Sequence, residues 1–402
     1  TIVPYDGSLA GDVAFGGLLR DAPALARRLT PYRDATDQHS QRCTTLATDG
    51  ETFGHHHKSG DSTLTEALSM VLQHANSRVT NSAALVAMFP PTTDVRLVSP
   101  SAWSCAHGVE RWRSNCGCRL DGSKPPAQQW RGPLRHALER LAHHSNEVFD
   151  GEGRTLFVDD PWAVRDRYGD VVARDGEAID AFARRELPSE ATERQVQRAR
   201  ELLELERATM RTFTSCAWFF DDVDRIEVRQ VLRYAARAIE LTGHASRLMP
   251  EFVQWLAPAT SGAPNAGSAS ELFVREAMPH RDATTCAAAG AIACAAMGIA
   301  TPRIAIFDVT VAPHDEAPHT VASHAPWRVT LTHRRTGAVR SFVGRVHGTG
   351  PGLTVDLSET ERDSGDTHGI KVHEFPEEIA RRLLIPMALA DEAMLDQVNP
   401  RR

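Results

Sequence analysis

The stretch CTTLATDGETFGHHHK, Cys43–Lys58, joins a strand pattern to a polar loop. Its first part, Cys43–Gly50, predicts a β-strand that breaks at a glycine. A helix is then predicted from Ser62, as its cap, to about Asn76. Because Thr1–Tyr5 and Val13–Leu29 give the same order of strand and helix, the repeat predicts a barrel or an open α/β sheet. The polar loop therefore occupies the position where α/β folds collect their active sites.

The periodicity of the apolar residues changes along the chain and predicts three domains, at residues 1–125, 126–300 and 301–402. A further short strand, DVRLVSP, begins at Asp94. The middle part carries helical spacing in Leu134–Phe149, Glu190–Phe213, Glu227–Thr242 and Arg281–Met297. The last part predicts strands at Arg303–Val311, Arg328–Thr332 and Ser341–Val346, a turn near Arg335–Gly337, and a closing helix from Pro376 to about Leu395. The predicted class is α/β plus an α-helical region and a small β-rich segment.

The composition excludes several classes of protein. The 402 residues are 42% hydrophobic, which suffices for real cores, and the formal net charge of -7 favours neither nucleic acid nor an anionic membrane as a partner. The most apolar stretch, Cys286–Ala300, is too short and too rich in Ala and Gly to span a bilayer, so it predicts a buried helix. Seven cysteines without a secretory signal favour a reducing compartment, and we expect a cytoplasmic protein. The opening TIVPYDG lacks an initiator Met and predicts the middle of a larger protein.

The loop around Asp49 concentrates titratable groups. Asp49 and Glu51 alternate along an extended backbone, so one of them would face a common pocket unless the neighbouring glycines bend the chain. A carboxylate at a strand end beside histidines suits general acid/base chemistry, because burial and nearby charge can shift its pKa. His55 and His57 could instead bind a metal with a ligand from elsewhere. A polar surface loop is the remaining alternative.

A second dense group lies in SAWSCAHGVERWRSNCGC, Ser101–Cys118. The polar and aromatic side chains are of the kind that lines a sugar cleft, and they could equally attach two domains to each other through arginine pairs and Trp burial. These residues are Trp103, His107, Glu110, Arg111 and Trp112.

The same segment contains the pattern C-x-H followed by C-x-C, at Cys105, His107, Cys116 and Cys118. Four such soft ligands are the kind that zinc takes, although C-x-C is tighter than the usual spacing. Buried free thiols are the ordinary alternative. Cys286 and Cys294 lie eight residues apart on an Ala-rich helix and are expected in the core.

Several long motifs resemble a known family. ATDGETFGHHHK, which ends at Lys58, is similar to the fourth conserved region of glycoside hydrolase family 57, the α-amylase/α-mannosidase-like family. Three further stretches resemble the C-terminal region of a bacterial subgroup of that family, the domain of unknown function 3536. They are Ser101–Cys118, Gln128–Leu138 and Thr212–Leu241. The resemblance covers nearly the whole chain and is weak after Pro258.

The resemblance implies the last strands of an incomplete (β/α)7 barrel, followed by a helical region that completes the cleft. It implies a retaining hydrolase or α-glucanotransferase that acts on α-linked glucan-type oligosaccharides, with Asp49 as the general acid/base. Retention needs two carboxyl groups about 5–5.5 Å apart. The family's nucleophile is a Glu on an earlier strand, so we expect it upstream of Thr1 and expect no catalysis by this chain alone.

The resemblance also implies substrate-binding residues. Glu51, Phe53, His55 and His56 would shape the subsite and bind sugar hydroxyls, with loop support as their other possible role. Trp218 would lie over the sugar, because a Trp face packs well on a pyranose. Core packing is expected for Phe219 and Phe220, and helix capping for Asp221 and Asp222. No cofactor or metal is assigned, and the partner would be an α-linked oligosaccharide or polysaccharide. The alternatives are a non-catalytic carbohydrate-binding protein and a zinc-stabilised structural module.

Overall fold

The computed structural model forms two compact units, Thr1–Val98 and Ser99–Arg402. The residues that it describes are 1–30, 43–73, 77–102, 104–120, 128–262, 267–277, 283–301, 304, 306–314, 325–360, 368–381 and 383. The boundaries predicted at residues 125 and 300 both fall inside the second unit.

The first unit is helical in the residues described. Its helices are α1 (Gly7–Ala14), α2 (Ala22–Leu29), α3 (Gly60–Gln73) and α4 (Ser82–Met88), with 3-10 turns at Leu18–Arg20 and Gly50–Thr52. Asp6 and Asp21 cap α1 and α2 by accepting backbone N–H bonds at 2.9 and 2.8 Å. The helix predicted over Val13–Leu29 is divided, because the chain turns at Gly17, whose φ of 76° is left-handed. A small core, with Leu9, Leu25 and Val71 among its residues, joins α1, α2 and α3.

The strands predicted in this unit do not form. Among the residues described from 1 to 98, no β-strand is present, and the barrel is not confirmed. Asp6 N–H, one residue after the first predicted strand, donates to the Thr45 carbonyl at 2.9 Å. A single backbone bond does not make the repeated ladder that defines a pair of strands. The third predicted strand, which begins at Asp94, does not pair with another strand among the described residues. Its apolar side chains are also exposed, Val95 at 66% and Leu97 at 71%.

The second unit begins with a helical region. Its helices are α5 (Arg131–Leu156), α6 (Pro161–Tyr168), α7 (Gly176–Arg185), α8 (Glu193–Arg211), α9 (Cys216–Phe219), α10 (Ile226–Leu241), α11 (Ala245–Leu256) and α12 (Ala269–Leu272). All four helices predicted from helical spacing are confirmed: α5, α8 and α10 lie in this region, and the one predicted over Arg281–Met297 follows it at Ala283–Ala296. Leu134, Leu138 and Leu141 are buried at spacings of four and three, which lines one face of α5 with apolar side chains. Thr192 and Gln195 form a reciprocal capping box at the start of α8.

The chain then forms α13 (Ala283–Ala296) and an antiparallel sheet in the order of the sequence. Its strands are β1 (Phe307–Pro313), β2 (Trp327–His333), β3 (Val339–His347), β4 (Thr354–Glu359) and β5 (His368–Lys371). Three were predicted; β4 and β5 were not. The Ala-rich α13 packs on the sheet. A Cβ added at Gly344 would lie 3.0 Å from Ile292 of α13, so helix and sheet approach closely there. The described part of the closing helix, up to residue 383, buries Ile379 and Leu383.

The β2–β3 turn attaches the sheet to the helical region. Arg335 of the turn donates to the Glu204 carboxylate at 2.7 Å and to the Tyr168 hydroxyl at 2.9 Å. Arg200 of α8 donates to the carbonyls of Arg334 and Arg335 at 2.6 and 2.8 Å. Burial raises the pKa of Glu204, but the bonds from Arg335 and Tyr168 outweigh burial and the pKa is lowered overall. The turn therefore brings the sheet and the helices into one unit.

Across the ranges that the structure describes, no helix has the length and apolar run needed to cross a bilayer.

Candidate functional site

Two parts of the molecule carry concentrated chemistry. The histidine loop, Thr48–Lys58, lies in the first unit and contains the predicted acid/base. The cysteine–histidine cluster, which comprises Cys105, His107, Cys116 and Cys118, lies in the second unit.

Backbone hydrogen bonds hold the histidine loop in a tight turn. After the 3-10 turn at Gly50–Thr52, His56 N–H donates to the Glu51 carbonyl at 2.9 Å. His57 N–H donates to the Thr52 carbonyl at 3.2 Å. Gly54 has a φ of 114°, which an L-residue rarely adopts, and its N–H donates to the His57 carbonyl at 3.0 Å. The loop is thus defined by its own backbone.

Three side chains attach the loop to the first unit. His57 Nε2 donates to the Ala14 carbonyl at 2.8 Å, which places the ring proton on Nε2. Phe53 is half-buried and packs against the small core. The hydroxyls of Thr48 and Thr52 bond each other at 2.9 Å. Of the three consecutive histidines, His57 is therefore the one with a structural contact to another element.

The remaining polar side chains of the loop face solvent. Asp49, Glu51, His55 and His56 are all exposed. Asp49 occupies the cap position of the 3-10 turn with an extended backbone, and its carboxylate makes no capping bond. The rings of His55 and His56 lie 5.2 Å apart. The structure thus brings these four predicted residues onto one short surface loop.

The cysteine–histidine cluster converges on a single point. Cys105 Sγ lies 3.9 Å from Cys116 Sγ and 3.8 Å from Cys118 Sγ, and Cys118 Sγ lies 3.5 Å from His107 Nδ1. All four potential ligand atoms lie within 4.8 Å of one another. Cys105 is buried and His107 exposed, while Cys116 and Cys118 are half-buried. The cluster is therefore closed on one side and open to solvent on the other.

Two glycines shape the segment that carries the cluster. Gly117, between Cys116 and Cys118, has a φ of 82°, and Gly108, directly after His107, has a φ of 76°. Both values are left-handed and favour glycine. Between these glycines, Glu110–Trp112 forms a 3-10 turn that reverses the chain. The glycines and the turn bring the C-x-H pair opposite the C-x-C pair.

Local hydrogen bonds set the protonation of one thiol. Burial raises the pKa of Cys105, but backbone hydrogen bonds at Arg111 and His107, with side-chain bonds from Cys118 and His107, lower it to about 7. Burial and the neighbouring thiols raise the pKa of Cys118.

The segment is attached to the helical region by buried contacts. Arg131 at the start of α5 is fully buried, and it donates to the Cys118 carbonyl at 3.0 Å and to the Phe220 carbonyl at 3.1 Å. Trp112 Nε1 donates to the Ser215 carbonyl, just before α9, at 3.1 Å. The cluster therefore lies at a packed junction within the second unit.

Two of the predicted sugar-cleft residues of this segment, Arg111 and Trp112, contribute to that attachment. The Arg111 guanidinium is buried and lies 4.7 Å from the centre of the Phe219 ring. Glu110 accepts bonds from its neighbours Arg113 and Ser114, both at 2.7 Å. These contacts agree with the structural alternative for Arg111 and Trp112, whereas the bonds of Glu110 stay within its own segment. Trp103 lies outside the described residues.

The structure places Trp218 differently from the sequence prediction. It is 1% exposed, within the helical core, and its Nε1 donates to the Arg131 carbonyl at 3.2 Å. No face of the ring is free to receive a sugar, whereas Phe219 and Phe220, expected in the core, are half-buried. The helical turn of α9 directs the side chain of Trp218 inward, which corrects the predicted stacking role.

The predicted capping by Asp221 and Asp222 is also wrong. Helix α10 begins at Ile226, and its cap residue is Arg225. Asp221 instead accepts the Leu120 N–H at 3.0 Å, and Asp222 accepts from the Ser261 hydroxyl at 2.8 Å. These carboxylates join loops to each other.

One feature gave no recognisable sequence signal. A groove of about 410 Å³ lies along α5 and α11. Charged and aromatic side chains line it, among them His136, Glu139, His144, Arg247 and Trp255. His144 Nε2 lies 3.3 Å from His244 Nδ1, and burial, with Arg247 beside it, lowers the pKa of His144. The residues come from two distant helices, so the sequence shows only separate amphipathic patterns.

Comparisons with known proteins give one family. The family model described as Domain of unknown function (DUF3536) matches residues 127–354, more than half of the chain. The match extends from the start of the helical region into β4, well past the point where the resemblance seen in the sequence weakens. No curated protein matches the chain, and no solved structure matches it. The chain therefore belongs to the DUF3536 family.

Proposed function

We propose that the chain is part of a retaining glycoside hydrolase or α-glucanotransferase acting on α-linked glucan-type oligosaccharides, with Asp49 as the general acid/base. The observation that carries the proposal is the exposed Asp49 carboxylate on a loop fixed by its own backbone and by His57. A general acid must be accessible to the substrate and be carried on a defined backbone, and the exposure of Asp49 and the hydrogen-bonded backbone of its loop support this role. The similarity of Ala47–Lys58 to a conserved family 57 region supports the same role.

In the proposed reaction, the Asp49 carboxyl protonates the leaving glycosidic oxygen while a second carboxylate attacks the anomeric carbon. Asp49 then removes a proton from water or from an acceptor sugar, which attacks the covalent intermediate and releases the product with retained configuration. The second carboxylate would lie about 5–5.5 Å from Asp49. We propose that a Glu outside the loop of Asp49 supplies it.

The neighbouring side chains would bind the substrate. Glu51, His55 and His56 are exposed beside Asp49 and offer hydrogen-bond donors and acceptors to sugar hydroxyls. Phe53 is half-buried against the core, so its part is to support the loop. Trp218 has no part in this proposal because it is buried.

The test is Asp49→Asn in the complete gene product, with Asp61→Asn as the control, an exposed carboxylate of the same unit. We expect kcat on an α-glucan to fall about 10²–10⁴-fold in the first variant and to be unchanged in the second. An aryl glycoside with a good leaving group needs no acid, so its cleavage should lose less, and azide should restore turnover. If Asp49 has a purely structural role, Asp49→Asn should reduce the turnover of both substrates equally, and azide should not restore it.

Wild-type turnover by Asp49→Asn would overturn the assignment. Binding of maltooligosaccharides by calorimetry, without turnover by the wild-type protein, would favour the alternative of a non-catalytic carbohydrate-binding protein.

A further inference from the structure

We propose that Cys105, His107, Cys116 and Cys118 bind one Zn²⁺ ion, which is structural rather than catalytic. Zn–S and Zn–N bonds of about 2.3 and 2.0–2.1 Å in a tetrahedron place two sulfurs about 3.8 Å apart and a sulfur and a nitrogen about 3.5 Å apart. The observed Sγ–Sγ distances are 3.8 and 3.9 Å, and the Sγ–Nδ1 distance is 3.5 Å. Three of the six distances among the four atoms thus match a zinc coordination shell, and the other three are no longer than 4.8 Å.

The chemistry of the ligands selects the metal. Thiolate sulfur and imidazole nitrogen suit zinc, whereas magnesium and calcium take oxygen ligands. Four protein ligands complete a tetrahedron and leave no position for water or substrate, which is the property of structural zinc sites. An iron–sulfur cluster distributes its cysteines over several iron atoms, so the convergence of all four atoms within 4.8 Å favours a single ion.

The backbone explains how so short a spacing can bind zinc. A C-x-C pair is tighter than the usual C-x2–4-C, but the residue between Cys116 and Cys118 is Gly117 in a left-handed conformation. A Cβ at Gly117 would meet no atom within 4 Å, so the need for glycine there is conformational. This bend lets both thiols face Cys105 and His107.

The ion would stabilise the junction at the start of the helical region. The Cys118 carbonyl accepts from Arg131, whose other nitrogen binds the Phe220 carbonyl. Arg111 and Trp112, between the two ligand pairs, contact Phe219 and Ser215. Joining the ligand pairs through zinc would fix all these contacts together. The site precedes the family-matching segment, 127–354, and does not depend on the role of Asp49.

The competing chemistry is a disulfide. Cys105 Sγ lies 3.8–3.9 Å from the other two sulfur atoms, well beyond the S–S bond of about 2.05 Å, and any single disulfide would leave one thiol and the histidine unused. A disulfide explains neither the fourth ligand nor the tetrahedral spacing.

The experiment measures metal in the 402-residue chain purified under reducing conditions, without chelator, from zinc-supplemented cells. We expect about one zinc ion per chain by elemental analysis. Replacement by Co²⁺ should give thiolate-to-cobalt charge-transfer absorption and tetrahedral d–d bands. Cys118→Ser and His107→Ala should lower the zinc content to background or weaken binding at least tenfold. The matched control is Cys216→Ser, an exposed thiol of the same unit, which should bind zinc as the wild type does.

If a ligand variant fails to fold, the zinc content and the Co²⁺ spectrum of the wild-type chain still test the proposal. A wild-type chain that takes up neither zinc nor Co²⁺ would overturn the proposal. So would a Cys105 disulfide found by mass spectrometry in freshly purified protein, or the brown absorption of an iron–sulfur cluster. Loss of zinc in Cys216→Ser would also contradict it.

Discussion

The histidine loop and the cysteine–histidine cluster look alike in the sequence, since each places several potential metal ligands within a few residues of glycines. The structure separates them. In the histidine loop, Asp49, Glu51, His55 and His56 point to solvent, and only His57, among the loop's histidines, contacts another element of its unit. In the cluster, four side chains from two short motifs meet within 4.8 Å and lie against buried contacts.

The difference shows what each region needs in order to function. The exposed loop offers groups to something outside itself, a substrate and a second carboxylate in our proposal. The cluster already contains every group that its proposed ion requires. Changes to the exposed side chains of the loop should therefore alter activity with little change in stability, and changes in the cluster and the core beneath it should alter stability.

The largest effect is expected for Trp218→Ala, which removes a buried side chain bonded to Arg131, the residue that holds the Cys118 carbonyl. It tests whether the core beside the cluster is more sensitive to substitution than the exposed histidine loop. The ring is 1% exposed, so its removal should leave a cavity and lower the free energy of unfolding by about 3–5 kcal/mol. His56→Ala in the exposed loop should change it by less than about 0.5 kcal/mol. Urea unfolding followed by circular dichroism measures both. If Trp218→Ala is as stable as the wild type, the ring is not a core residue, and the predicted stacking of Trp218 on a sugar would again be the better explanation.

Metal removal should have the next largest effect. At a free zinc concentration about 100 times the Kd, binding adds about 2.7 kcal/mol to the stability of the folded chain. A chelator should therefore lower the Tm of the second unit by a few degrees, and zinc should restore it. Calorimetric scans of wild type and Cys118→Ser make the comparison. A chelator response of equal size in Cys118→Ser would show that the shift comes from somewhere other than the cluster.

The smallest effect compares the two regions at matched glycines. Gly54 has a φ of 114° and Gly117 a φ of 82°, and an added Cβ at either would meet no atom within 4 Å. Alanine at either position should cost about 1–2 kcal/mol through backbone strain alone. Gly117→Ala should also weaken cobalt binding, whereas Gly54→Ala should leave it unchanged, as read from the charge-transfer absorption. Equal cobalt affinity in both variants would mean that the bend at Gly117 does not position the thiols.

The helical and β-rich parts were predictable because their patterns are local. Apolar residues at helical spacing predicted α5, α8, α10 and α13, and alternating residues predicted β2 and β3 with a turn near Gly337. Strand β4 was missed although its buried Val355 and Leu357 alternate with polar residues, whereas β5 has only four residues, too few to show a period. The strands predicted before residue 98 failed for a different reason. A strand depends on hydrogen-bond partners that its own sequence does not reveal.

The candidate sites divide in the same way. The sequence by itself determined which residue types stand close together: the acid and histidines of Asp49–His57, and the C-x-H and C-x-C pairs. Only the tertiary structure decided that the two cysteine pairs converge, because the turn at Glu110–Trp112 and the glycine at 117 set the direction of the chain between them. It also decided that Trp218 is buried while Phe219 and Phe220 stay half-buried. Residue spacing along the chain fixes local geometry, whereas burial and ligand convergence depend on which distant surfaces pack together.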